Sequence, residues 1–209
     1  MRQKGFTLVE LIIVIVVIGI LSTIGIVSYN GAQQRARNAS RLSAVTKAIE
    51  MVEIALVKNS PSTIRGTLGY SNSWWRACIG SGYADKSGDG VGDCGYYGSS
   101  AYVSESTAFR DLIKSNVGTF DLASYPATTA TDGDIVSGPY LDSAWVDNKD
   151  MLAVEYTLEG LNQKCDKSPL IYRNGSTSTL TPPAGNAANY TKSEYGVTEC
   201  AVAVVTNYF

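Results

Sequence analysis

The first sixty residues carry two hydrophobic patterns in succession. From Phe6 to Tyr29 nearly every position is apolar, and Glu10 is the only charge. At 1.5 Å per residue this stretch spans about 36 Å as a helix, enough to cross the hydrocarbon core of a bilayer. After Tyr29 the pattern turns amphipathic. Leu42, Val45, Ile49, Val52 and Leu56 recur at three- and four-residue steps, with Arg41, Lys47, Glu50 and Glu53 between them. Asn59 and Ser60 lead into Pro61, which ends the pattern. Residues 6–58 are therefore predicted as one helix of roughly 80 Å. Its first part, 6–29, is expected in a membrane, and its second part, 30–58, is expected to lay an apolar stripe on a sheet. A coiled-coil partner is the alternative for the second part, although the repeat is short for one.

Residues 59–150 are rich in Gly, Ser, Thr and Asp and read as a long connection. They hold one predicted short helix, capped by Ser104 and burying Phe109, Leu112 and Ile113. Strand-like segments come late, at 151–159, 169–173 and 200–206. In the first, Leu152, Val154, Tyr156 and Leu158 fall on alternate positions, and the second leads into an Asn174-Gly175 turn. A long helix, a long connection and an antiparallel meander over 151–209 make an α+β fold.

Composition narrows the setting. Only 17% of residues are charged, Gly is abundant (20) and Tyr outnumbers Phe (13 to 4), a neutral, turn-rich surface that suits an extracellular protein. Residues 60–209 carry a net charge of −6, whereas residues 6–58 carry +2. An acidic head argues against general nucleic-acid binding, which rests on clustered Lys and Arg. The chain has no histidine, so Ser–His–Asp and Cys–His catalysis are excluded. No Asp/Glu pair is signalled either, and enzyme activity is not expected.

Cys78, Cys94, Cys165 and Cys200 all lie in the second part, and their even count reads as two disulfides formed in an oxidising compartment. Four cysteines allow three connectivities. Proximity in sequence favours Cys78 with Cys94 and Cys165 with Cys200. Zinc is the competing reading, disfavoured by spacings other than C-x-x-C and by the lack of His. Between Cys78 and Cys94, the side chains of Asp85, Ser87, Asp89 and Asp93 and the carbonyl of Val91 fall on the ligand places of an EF-hand-type calcium loop, with Gly90 at the sixth place. Tyr96 stands where the bidentate Glu is required. Calcium and a solvated Asp/Gly turn are both open readings. Asn38, Asn174 and Asn189 each head an N-x-Ser/Thr pattern, a short motif that often matches by chance.

The N-terminus resembles the type IV pilin and pseudopilin family. A short basic leader with Arg2 and Lys4 ends in Gly5, and Phe6, Thr7, Leu8, Val9 and Glu10 open the apolar run. An ordinary secretory signal is the rival, but the run is long for one and no A-x-A site follows. The resemblance covers about the first thirty residues, and it implies the following. Residues 1–5 are a leader, cut between Gly5 and Phe6 by a prepilin peptidase. Phe6 becomes an N-methylated terminus. The Glu10 carboxylate meets the Phe6 amine of a neighbouring subunit. The precursor sits in membrane lipid with its C-terminus outside, and an assembly platform polymerises it into a homopolymer through the N-terminal helices. Arg35, Arg37 and Arg41 balance the leader's charge, so this orientation comes from the motif and not from charge. The family often carries a proline where this chain has Val27. Gly19 and Gly25 are expected to loosen the helix in its place, or else to allow close helix packing. Cys165 and Cys200 would bound the C-terminal region as in disulfide-bounded pilins.

The leading expectation is thus a structural pilin of a type IV pilus serving adhesion, motility or DNA uptake. The alternative is a pseudopilin of a type II secretion system, or a minor tip pilin in which Trp74, Trp75 and nearby tyrosines form an adhesive patch. The plainer reading of those aromatics is core or subunit contact.

Overall fold

A computed structural model describes residues 5–71, 74–80, 83, 85, 87–97, 101–118, 138–146, 149–165, 172–174, 177–179, 191–192 and 196–205. Helix α1 runs without interruption over Leu8–Lys58, through Gly19, Gly25 and Val27. The chain divides into two units, Met1–Arg37 and Asn38–Phe209.

In the first unit the apolar side chains are bare. Leu11, Val14, Ile18 and Leu21 are among many that are about half exposed or more, and a Cβ placed on Gly19 would touch nothing. Two hydroxyls in the middle of this run turn inward on the helix: Ser22 donates to the Ile18 carbonyl and Thr23 to the Ile20 carbonyl, both at 2.7 Å. Both thereby find a partner without water, as a lipid-facing helix requires. Among the described residues α1 is the one helix long and apolar enough to cross a membrane.

In the second unit the amphipathic stripe is present but rotated. Ala44, Val45, Ala48, Met51, Val52 and Ala55 are buried, while Leu42, Ile49 and Leu56 are only partly buried at the edges of the same core. The alanines explain the shift. Small side chains let the helix backbone approach its packing partners closely, and the larger residues wrap the flanks. Rotation also takes Arg41 fully out of solvent.

The core's other wall is a six-stranded sheet ordered β1-β2-β5-β6-β10-β9. Its strands are β1 (Gly69–Ser71), β2 (Trp74–Cys78), β5 (Tyr140–Val146), β6 (Lys149–Glu159), β9 (Thr191–Lys192) and β10 (Val197–Val205), and every neighbouring pair is antiparallel. Two hairpins stand apart from it: β3 (Asp93–Tyr97) with β4 (Ala101–Ser104), and β7 (Tyr172–Asn174) with β8 (Thr177–Thr179). This is the expected α+β layout of a long helix packed on a small antiparallel sheet.

Several expectations for the head change. The span 59–150 is not a plain connection, because β1 to β5 lie in it. Their alternation is hidden because, in β2 and β5, the face opposite Ala77 and Leu141 is buried as well, and polar residues there pair with each other. Arg76 on β2 sits opposite Asp142 on β5 and forms an ion pair with it at 3.2 Å, both side chains buried. Tyr140 on β5 sits opposite Glu155 on β6 and donates its hydroxyl to that carboxylate. Strand β6 is buried on both faces from Met151 to Leu158, so its alternation does not mark a solvated side.

Pro61 stops α1 yet starts another helix, α2 (Pro61–Gly66), as its first residue, with Ser60 Oγ accepting the Thr63 amide at 3.2 Å. The cap of α3 (Thr107–Val117) is Ser106, not Ser104, which belongs to β4. Ser106 wins because its hydroxyl accepts the Phe109 amide while donating to the Thr67 carbonyl. Phe109 and Ile113 are buried as expected, and Leu112 is partly so. The predicted turn at Gly175 lies outside the described residues, between β7 and β8.

Candidate functional site

Backbone geometry at the start of α1 sets the site. Gly5, Phe6 and Thr7 are not helical, Phe6 is 84% exposed, and Leu8 opens the helix. Thr7 is the residue before that first turn, and Glu10 lies three positions on. The two cap each other. The Thr7 amide and hydroxyl donate to Glu10 Oε2 at 2.8 and 2.7 Å, and the Glu10 amide donates to Thr7 Oγ1 at 3.2 Å. This reciprocal arrangement is a capping box, which satisfies amides that a helix start otherwise leaves unpaired. Its T-x-x-E signature is legible in the sequence, where Thr7 passes for a mere spacer. From Phe6 to Gln34, Glu10 is the only charged residue.

Residues 1–26 match the family model described as the prokaryotic N-terminal methylation motif. This stretch carries the class III signal peptide of type IV pilin-like precursors. The motif implies processing by a prepilin peptidase and fits a membrane-anchored precursor. No solved structure matches the chain.

In the pilin-like head, two disulfides close loops. Cys78, at the end of β2, is bonded to Cys94 in β3, and Cys165, beyond β6, is bonded to Cys200 in β10. The loop inside the first bridge is knit by its own amides. Asp85 accepts the Gly88 amide at 2.6 Å and the Gly90 amide at 2.8 Å, and Ser87 Oγ at 3.3 Å. These glycines have φ of +80° and +84°, a conformation that disfavours side chains. The amides of Gly90 and Gly88 hold the exposed Asp85 carboxyl below the usual carboxylate range. Asp89 accepts the Val91 amide at 2.9 Å. Asp93 is buried and accepts the Ser87 amide at 2.8 Å and the Ser104 hydroxyl at 2.7 Å. Among the described residues no three His, Cys, Asp or Glu side chains form a group that could hold a metal ion. Calcium at Asp85, Ser87, Asp89, Val91 and Asp93 would have to compete with these bonds.

Arg76, Asp89, Tyr102, Ser104 and Glu105 line a nearby cleft of about 400 Å³. Its mixed charge offers no concentrated anion site. Trp75 is partly buried against the core, with the Arg65 guanidinium 6.0 Å from its ring centre, as the plainer reading expects. The Trp74 side chain lies outside the described residues.

Sequence reasoning missed one buried cluster. Asn38 imitates a neighbouring strand: its Nδ2 donates to the Glu159 carbonyl at 3.0 Å and its Oδ1 accepts the Glu159 amide at 2.8 Å. Arg41 donates to Asn38 Oδ1 at 3.0 Å and to Glu159 Oε1 at 2.7 Å. Together they latch α1 to the end of β6. Asn38 is 7% exposed, so its N-x-Ser pattern is not an accessible glycan acceptor in the folded head.

Proposed function

We propose that the chain is the structural subunit of a type IV pilus, cut between Gly5 and Phe6 and methylated at Phe6. The observation that carries this is the apolar run of α1, whose described large side chains are about half exposed or more, with a single carboxylate at Glu10. Such a surface calls for lipid before assembly and for other copies of itself afterwards. An assembly platform would pass subunits from one to the other, with the head outside. In the packed helices the Glu10 carboxylate would meet the Phe6 amine of a neighbouring copy, and Gly19 and Gly25 would permit close approach or local loosening.

The test is electron microscopy of filaments sheared from the source cells, with intact-mass analysis of their subunit. We expect loss of residues 1–5 and one added methyl. A mature terminus beyond residue 30 would sink the reading. The pseudopilin alternative shares the same motif, and it predicts that sheared surface fractions contain little of the protein.

A further inference from the structure

We infer that the cleft beside the β3–β4 hairpin is a binding site for a neutral carbohydrate. The inference goes beyond the pilus reading and does not depend on it. At about 400 Å³ the cleft falls in the range of small-molecule sites. Strands β1 and β2 contribute Gly69 and Arg76, the loop after β2 contributes Asp89, and β4 with its exit contributes Tyr102, Ser104 and Glu105. Val103 is buried with Cys78 and Cys94, so alternation along β4 places Tyr102 and Ser104 on its other face. These walls are fixed before any ligand arrives. The Cys78–Cys94 bond ties β2 to β3, the Glu105 amide donates to the Gly92 carbonyl at 2.8 Å, and the Ser106 hydroxyl donates to the Thr67 carbonyl.

The lining suits a ligand that both donates and accepts at short spacing and carries no net charge. Arg76 is paired with Asp142, and Glu105 lies 3.7 Å from Arg110, so neither stands as a bare charge. Asp89 accepts the Val91 amide through Oδ1, and its Oδ2 accepts from no described residue. Ser104 donates to Asp93 and keeps acceptor capacity. Vicinal hydroxyls match such groups, because each hydroxyl both donates and accepts. Tyr102 adds an aromatic surface for the apolar C–H face of a sugar ring. A peptide matches less well. Val103 is the only aliphatic side chain among the described lining residues, and it is buried in the disulfide cluster. Register supplies the opening: Gly69 stands directly opposite Arg76 on the neighbouring strand, so that side of the cleft has no side chain. A Cβ there would meet nothing nearer than the Arg76 carbonyl oxygen at 3.4 Å, an ordinary contact, and Gly69 is not among the glycines with positive φ. Neither crowding nor backbone conformation requires this glycine, and its effect is to leave the cleft open. In a surface filament the site would repeat along the length, so that weak contacts with glycans add up.

The experiment is saturation-transfer NMR on the full chain in a sugar-free detergent. The probes are the methyl glycosides of glucose, galactose, mannose and N-acetylglucosamine, with glucuronate as the charged control. We expect transfer to at least one glycoside and none to glucuronate. Gly69→Thr puts a strand-favouring side chain into the opening and should abolish the transfer. Asp89→Ala should weaken binding about tenfold, as the loss of one hydrogen bond to a charged group does. Both variants should unfold cooperatively, like the unsubstituted chain. If Gly69→Thr does not fold, Asp89→Ala decides alone, since Asp89 is exposed on its loop. No transfer to any glycoside overturns the inference. Transfer undiminished in either folded variant overturns it too, and so does a preference for glucuronate.

Discussion

One helix carries two charges, Glu10 and Arg41, among apolar side chains, and they are satisfied differently. Glu10 lies on the bare run of α1, where its only hydrogen-bond partner among the described residues is Thr7, three positions away. Arg41 lies on the packed stretch, fully buried, and reaches Asn38 and then Glu159, 118 residues further along the chain. The contrast shows what each stretch is for. A buried charge must be paired. The head supplies Arg41 with its partner through its own folding, and under the proposed function a further partner for Glu10 would come from another copy of the chain.

Removing the charge on each side breaks the comparison most directly. Glu10→Ala should leave cleavage and membrane insertion intact and abolish filaments, since the opposing amine would be left buried and uncompensated at about 3–5 kcal/mol per subunit. Immunoblots for processing and micrographs of sheared fractions check this. Normal filament numbers would show that Glu10 needs no partner outside the chain.

Arg41→Met should act on the head instead. It leaves Glu159 and Asn38 without their cation and should destabilise the detergent-solubilised chain by about 3–4 kcal/mol in denaturant unfolding. Adding Glu159→Gln should recover part of that loss, because the two residues form one pair.

The disulfides come next. Opening Cys165–Cys200, with a sequence separation of 35, should cost about 4 kcal/mol, and opening Cys78–Cys94, with a separation of 16, about 3 kcal/mol in the chain-entropy view. Unfolding of the double Cys→Ser variants ranks them, and an equal or reversed order would point to native-state enthalpy instead.

The loop between Cys78 and Cys94 carries the smallest effects. Its folded Asp85 carboxyl is depressed, so its contribution is present above the unfolded carboxylate range and lost as pH falls through the lower, folded value. The difference in Tm between the unsubstituted protein and Asp85→Asn should therefore shrink on acidification and stay level near neutrality. Calcium should bind this loop only weakly, with Kd in the range of roughly 10⁻⁴–10⁻³ M for a site lacking the bidentate ligand. Calorimetry with Asp89→Ala as control tests this. No heat at several millimolar calcium leaves the loop a turn closed by its own amides.

The sequence by itself determined the bare stretch almost completely. Phe6 to Tyr29 has one charge and no polar face, so its length, its helical state and its demand for lipid or other copies follow without knowledge of the head. The capping box was equally local, because Thr7 and Glu10 are one turn apart. The late strands β6, from apolar alternation, and β10, from a strand-like apolar run, were legible within a few residues of their ends. What only the tertiary structure decided is whatever depends on pairing distant polar residues. Arg76 finds Asp142 and Tyr140 finds Glu155 across strands, and such positions look solvated until the register joins them. The rotation of α1 had the same origin. An alanine stripe attracts less notice than a leucine one, yet it is the face that packs closely, and Arg41 could follow it inward only because Glu159 was waiting at the end of β6.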